Sequence, residues 1–245
     1  MNACIKHNDM KYNRILLKIS GESLAGDSGN GINSDMLRYY ISEIKKAYDM
    51  GVQIGIVIGG GNIFRGMQGA SKGFDRVQGD YMGMLATTIN SMALQGELEA
   101  CGIKAVVLSG IAIDPVCERM SSRRAIQYLQ NGYVTIISGG TGNPYFTTDS
   151  AGALRAIEIK ADVLFKGTRV DGVYDKDPEK HADAKKFDHL TFNQAYEQGL
   201  HIMDLTAFTL CKENNMPIIV FNMNKENNLY RILQGEQIGT IINNQ

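Results

Sequence analysis

The sequence predicts an α/β fold, a mostly parallel sheet with helices on both faces, in one domain or two closely joined lobes. Two observations carry this. Short apolar runs alternate with amphipathic stretches along the whole chain, the pattern of strands joined through helical crossovers. Several runs are also apolar on successive residues, as parallel strands covered on both faces are.

Taken in order, residues 1–13 read as a polar arm, and Ile15-Leu16-Leu17-Lys18-Ile19 as a strand buried on both faces. Lys18 near its end has two readings. It is an edge lysine whose stem packs while the ammonium reaches water, or a phosphate-binding cation at the carboxyl end of a parallel strand, where open α/β sheets bind ligands. After the glycine-spaced loop Gly26 to Gly31, Ser34 is placed as the cap of a helix with Leu37, Ile41, Ile44 and Tyr48 on one stripe, ended by Gly51. Val52 to Ile58 is the next strand and runs directly into Gly59-Gly60-Gly61-Asn62. Adjacent glycines are costly to order, which favours a close backbone approach over a mere turn. Arg65, just beyond, offers a planar fork suited to phosphate.

A long helical pattern from Tyr81 to Ala100 carries Met82, Met84, Leu85, Ile89, Met92 and Leu94, read as a core or subunit-contact stripe. Asp80 before it is either a helix-start carboxylate or a ligand group. Ala105 to Leu108 is a strand, Ser122 to Asn131 a helix stopped by Gly132, and Val134 to Ile137 a strand. That strand delivers the loop Gly139 to Ser150, poor core material whose glycines and hydroxyls suit an anion. Asp149 and Ser150 fall where the helix Ala151 to Lys160 begins.

Val163 to Lys166 is a strand, and Lys166 repeats the pattern of Lys18, which weakens the packing account of both. The segment Gly167 to Pro178 is a surface loop or, with its tyrosine and hydroxyls beside glycines, an adenine and ribose site. Residues 179–189 read as loop. Thr191 caps a short helix that Gly199 ends, Asp204 caps Leu205 to Asn214, Ile218 to Phe221 is a strand, Glu226 to Leu233 a helix and Ile238 to Ile242 the last strand.

Composition narrows the class. The 25 basic and 26 acidic side chains leave a net charge of -1, which argues against broad nucleic-acid or membrane electrostatics. Cys4, Cys101, Cys117 and Cys211 lie far apart with no Cys-x-x-Cys, so a disulfide framework or structural metal is not expected and a reducing compartment fits. With no secretory leader pattern and no long apolar span, the protein is expected to be cytoplasmic, without a membrane partner. Neither G-x-x-x-x-G-K-[ST] nor G-x-G-x-x-G is present. Phosphate contacts must therefore be spread over Gly21, the Gly59 to Gly61 turn and the Gly140 to Gly142 loop, which parallel strands would bring to one edge.

The chain carries Lys18-Ile19-Ser20-Gly21-Glu22, then Gly-Gly-Gly-Asn-x-x-Arg over 59–65, Gly-Asp-x-Met-Gly-Met over 79–84, Thr141 to Ser150, Lys-x-Thr-x-Val-Asp-Gly-Val-Tyr over 166–174, and Met203-Asp204. In this order these segments resemble the bacterial uridylate (UMP) kinases of the amino acid kinase family, from about Arg14 to the C-terminus. The resemblance implies one domain over 14–245, a three-layer αβα sandwich around a mixed, mainly parallel eight-stranded sheet, assembled as a homohexamer. It implies transfer of the γ-phosphoryl group of ATP to UMP with magnesium, giving UDP and ADP in pyrimidine nucleotide biosynthesis.

The resemblance also implies roles. Lys18, Ile19, Ser20 and Gly21 would hold ATP phosphates, with Gly61 and Arg65 near the transfer point and Thr168, Tyr174 and Asp177 along the adenosine. Gly60, Asp80 and the loop residues Thr141, Gly142, Asn143, Pro144, Tyr145, Phe146, Thr147 and Thr148 would hold UMP. Lys18, Arg65 and Lys166 would neutralise the moving phosphoryl group while Asp149 and Asp204 orient the cations; no side chain is assigned as a metal ligand. The acceptor is a phosphate already ionised near neutral pH, so the carboxylates are expected as organisers rather than bases. The rival readings are another small-molecule kinase of the same family and a pyrimidine-sensing regulator without catalysis.

Overall fold

Strands apolar on both faces are satisfied only between two layers, and that is where they lie. The computed structural model describes residues 10–64 and 75–245. Among these, nine strands form one sheet in the order β4 (Glu118–Arg119), β3 (Ala105–Ser109), β5 (Val134–Ser138), β2 (Gln53–Ile58), β1 (Arg14–Ile19), β6 (Val163–Thr168), β10 (Ile218–Asn222), β11 (Thr240–Asn243) and β9 (His189–Thr191). All neighbours pair in parallel except β10 with β11. A separate antiparallel ribbon joins β7 (Val173–Tyr174) to β8 (Lys186–Phe187).

Seven α-helices among the described residues cover the sheet: α1 (Ser34–Asp49), α2 (Arg76–Ala100), α3 (Ser122–Gln130), α4 (Thr148–Glu158), α5 (Phe192–Glu197), α6 (Leu205–Glu213) and α7 (Asn228–Leu233). Side-chain alternation along β1 sets the two layers. Ile15, Leu17 and Ile19 pack in one buried cluster with Leu37, Ile41 and Ile44 of α1, Leu94 and Leu98 of α2 and Leu229 of α7. Leu16 enters the other, with Leu129 of α3, Ala153 and Ala156 of α4, Phe192 of α5 and Phe208 of α6. Each Leu, Ile or Phe among these contributes about 1.5–3 kcal/mol when fully removed from water.

The expected sandwich is therefore present, with nine strands in place of eight. The edge strands β4 and β9, and the ribbon strand β8 inside the expected loop 179–189, were not foreseen. They have two or three residues each, too few for an alternation to register.

Helix starts also moved. Asn33, not Ser34, caps α1, its side-chain oxygen accepting from the amides of Asp35 and Met36. Its extended backbone leaves Ser34 as the first helical residue. Helix α2 begins at Arg76 on an Asp75 cap, five residues before the apolar stripe, so Asp80 lies in its second turn and the helix-start account of that residue falls. Thr147 caps α4, whereas Thr191 and Asp204 cap α5 and α6 as expected. Residues 1–9 of the expected arm lie outside the described residues. Met10 and Tyr12 pack on the core, Tyr12 edge-on to Phe165 at 5.8 Å.

Candidate active site

The carboxyl ends of β1, β2, β5 and β6 deliver the described parts of the segments singled out for phosphate chemistry to one edge of the sheet. Lys18 and Lys166 are register partners on adjacent parallel strands, which sets their side chains next to each other on one face. Gly152 of α4 lies under the Lys18 stem, a Cβ there falling 3.5 Å from Lys18 Cγ. Two ammoniums held together repel, and Asp149 in the first turn of α4 relieves this from between them. Lys166 Nζ donates to Asp149 Oδ2 at 2.7 Å and to the Ile202 carbonyl oxygen. Lys18 Nζ sits 2.9 Å from Asp149 Oδ1 as an ion pair outside hydrogen-bond alignment.

Charge follows from this packing. Burial disfavours ionisation of Asp149, but the Lys18 and Lys166 ammoniums outweigh it and hold the carboxyl below the usual carboxylate range. Burial, helped by the Lys18 charge, holds Lys166 below the ordinary lysine range against the pull of Asp149. Asp204 accepts from the Ala207 amide at 2.9 Å, from Ser150 Oγ at 2.9 Å and from the Thr147 hydroxyl. It ties the start of α6 to the turn that carries Asp149. Four of the five predicted catalytic residues are thus brought together, and Arg65 lies outside the described residues.

The three-glycine turn after β2 has a more local cause than a ligand. A Cβ on Gly21 would fall 2.3 Å from the Gly59 carbonyl oxygen, and one on Gly60 2.8 Å from both Ala86 Cβ and the Gly83 carbonyl oxygen. The close approach is to the protein's own backbone on both sides. Its result is a turn wedged between the loop after β1 and the second and third turns of α2.

Two sets of clefts meet there. The first, about 410 Å³, is lined by Gly60, Gly61, Asp80, Thr141, Asn143, Phe146, Thr147 and Thr148. Gly142, Pro144 and Tyr145 of the predicted set do not line it. Gly142, at φ 87°, is pressed onto the Gly110 carbonyl oxygen, and Tyr145 is 67% exposed. Tyr145 still serves the cleft through its backbone, donating its amide to Asp80 Oδ2 at 2.8 Å. Arg76 Nε donates to the same oxygen at 2.9 Å, and its guanidinium lies 5.6 Å from the Tyr145 ring centre.

On the other side, a cleft of about 670 Å³ is lined by Lys18, Ser20, Lys166 and Thr168. A second, about 560 Å³, is lined by Lys166, Thr168, Tyr174 and Asp177. Ile19 and Gly21 of the predicted set are buried and line none of these clefts; the Ile19 carbonyl accepts from the Gly59 amide. Glu22 lines the first cleft and the 670 Å³ cleft, marking their junction.

Sequence reasoning missed Arg76, Met84 and Thr87 on the wall of the 410 Å³ cleft. Arg76 stands four residues before Asp80, a helical pairing distance, and that signal was lost with the misplaced helix start. A metal held by the protein alone does not fit: among the described residues no three His, Cys, Asp or Glu side chains converge, and Asp149 is taken by two ammoniums.

Residues 13–222 match the model of the amino acid kinase family. The chain is 56% identical over 234 residues to a uridylate kinase of Bacteroides thetaiotaomicron and 58% identical over 234 residues to one of Parabacteroides distasonis, covering 96% of this chain and 99% of each relative. Among solved structures, UMP kinase from Bacillus anthracis superposes with a TM-score of 0.93 at 39% identity, over 96% of this chain and 97% of that one. UMP kinase from Ureaplasma parvum gives 0.89 at 38%, over 96% and 100%. This chain belongs to the amino acid kinase family, in its uridylate kinase branch.

Proposed function

We propose that this chain transfers the γ-phosphoryl group of ATP to UMP, giving UDP and ADP, as a step of pyrimidine nucleotide synthesis in the cytoplasm. The observation that carries this reading is the 56–58% identity to uridylate kinases across 96% of the chain. The paired lysines of the 670 Å³ cleft, which meets the 410 Å³ cleft at Glu22, supply its mechanism.

ATP lies along the Lys18 side, its phosphates on Lys18, Ser20 and the Gly21 backbone, its adenosine toward Thr168, Tyr174 and Asp177. UMP lies in the 410 Å³ cleft, its ribose hydroxyls on Asp80 Oδ1 and its base against the loop that follows Gly140. Gly61 lines the same cleft and stands near the transferred group. With ATP, magnesium would supply further neutralisation of the phosphate charge, and no described side chain is assigned to hold it.

The chemical obstacle is repulsion between two polyanions. The acceptor phosphate has its second pKa near 6, so at neutral pH it is already a nucleophile and no base is required. Lys18 and Lys166 neutralise charge as the phosphoryl group passes, and Asp149 keeps both cations aimed without quenching them, since one carboxylate faces two ammoniums. Such preorganised charge is the main protein contribution to phosphoryl transfer.

ADP release followed with ATP, magnesium and a panel of UMP, CMP, dTMP, AMP, carbamate, glutamate and aspartate is expected to show a clear preference for UMP. Preference for another acceptor would overturn the specificity, and no turnover with any would favour a regulator. Asp80→Asn should raise the KM for UMP about tenfold, a loss of roughly 1.4 kcal/mol, with the KM for ATP little changed. An unchanged UMP dependence would remove Asp80 from the site.

The homohexamer belongs to the same proposal. Tyr81, Leu85, Ile89 and Met92 form an exposed apolar stripe on α2, the kind of surface that closed assemblies cover. Sedimentation should report about 160 kDa, six copies of a 26.9 kDa chain; a monomer mass would refute it.

A further inference from the structure

Asn62 and Asn90 have no part in the scheme above, yet they are buried almost completely, at 3% and 0% exposure. Their amides face each other. Asn62 Nδ2 donates to Asn90 Oδ1 at 3.0 Å and Asn90 Nδ2 donates to Asn62 Oδ1 at 2.7 Å. The second proton of each goes to a backbone carbonyl, from Asn90 to Gly59 and from Asn62 to Gly31, both at 2.7 Å. All four N–H donors are used. Turning either amide over would set donor against donor and acceptor against acceptor, so the network fixes both orientations.

A buried polar pair of this kind adds little stability over an apolar pair of the same shape. What it adds is geometry. Gly31 belongs to the loop that follows Lys18, Ser20 and Gly21, and its amide donates back to the Asn62 carbonyl at 2.9 Å. Gly59 and Asn62 bracket Gly60 and Gly61, which line the acceptor cleft. Asn90 stands on α2, the helix that carries Asp80, Met84 and Thr87 along the same cleft. The two amides therefore join the donor-side loop, the glycine turn and the acceptor-side helix at one point.

We propose that Asn62 and Asn90 are positioning residues: they hold the Gly60 and Gly61 backbone of the acceptor cleft against the donor-side loop and register the phosphate donor against its acceptor. This rests on the phosphotransferase reading of the site. An error in that register is felt where the phosphoryl group is in flight more than in binding either nucleotide, so it lowers kcat more than it raises KM.

The test is steady-state kinetics with ATP and UMP on Asn90→Asp and Asn90→Ser, alongside thermal unfolding. The aspartate keeps the shape of the side chain but turns an oxygen toward the Gly59 carbonyl; the serine keeps one donor. Expected is a kcat lowered at least tenfold in Asn90→Asp and less in Asn90→Ser, with KM for both nucleotides within threefold of wild type and cooperative unfolding retained. A folded variant with wild-type kcat, a loss confined to KM, or a loss that matches the unfolded fraction would overturn the proposal. So would failure of both variants to fold, which would make the pair a folding element. A wild-type chain inactive with UMP refutes the proposed substrate instead; the ratio of variant to wild type with whichever acceptor in the panel reacts still reads the pair.

Discussion

Lys18→Ala is expected to lower turnover by about 10²–10³-fold, the usual cost of deleting one preorganised charge-stabilising group, with the melting temperature nearly unchanged. The two effects separate for a structural reason. Lys18 is one of two cations on Asp149, so its removal leaves that carboxylate paired with Lys166. It also removes a like charge from the neighbouring strand, where Lys18 helps to hold the Lys166 ammonium below its ordinary range. Relief of repulsion then offsets part of the lost packing over Gly152. Comparing kcat with ATP and UMP against thermal unfolding of the same preparation decides the matter. Near-normal turnover would return Lys18 to the role of a packed lysine reaching for water.

Asp149→Ala has the opposite balance and the larger effect on the fold. Truncation strands two ammoniums, each with a side chain only 14% exposed, and breaking a buried pair by removing one partner costs roughly 3 kcal/mol. For a chain of this size that is a fall of about 6–12 °C in melting temperature. Turnover should fall as well, because the lysines lose the group that aims them.

Acid provides an independent reading of the same contact. The folded pKa of Asp149 is depressed below its unfolded value near 3.8, so its contribution is complete above that value and is lost as pH falls through the folded pKa. Stability of the wild type should therefore decline below about pH 4 more steeply than that of Asp149→Asn, which has no proton to take up. Parallel acid limbs in the two proteins would show that Asp149 is not the group that titrates.

Much of this layout was legible because it is written in local patterns. β1, β2, β5 and β6 are largely apolar runs that lead into glycine, lysine or serine, and parallel strands put their carboxyl ends together whatever the rest of the chain does. The caps Thr191 and Asp204 were readable for the same reason, since a cap is chosen by the residues just after it. Arg76 was not, because the polar first turn of α2 hides the helix that makes it a neighbour of Asp80.

The amino-acid sequence by itself determined the layered α/β class, the strands that deliver the glycine- and lysine-bearing segments to one edge, and the family, each of which rests on short-range pattern and segment order. The tertiary structure alone decided what those segments do to one another. Lys18 and Lys166 are far apart in the chain, and only strand register sets them on either side of Asp149. The glycines at 21, 59 and 60 read as room for a ligand, while their contacts show backbone pressed against backbone. Asn90 lies unmarked in the middle of a helix, and its meaning comes from a carbonyl and an amide brought to it from another part of the chain. Pairings between distant residues carry no local signature, because any polar side chain can answer another once the fold removes both from water.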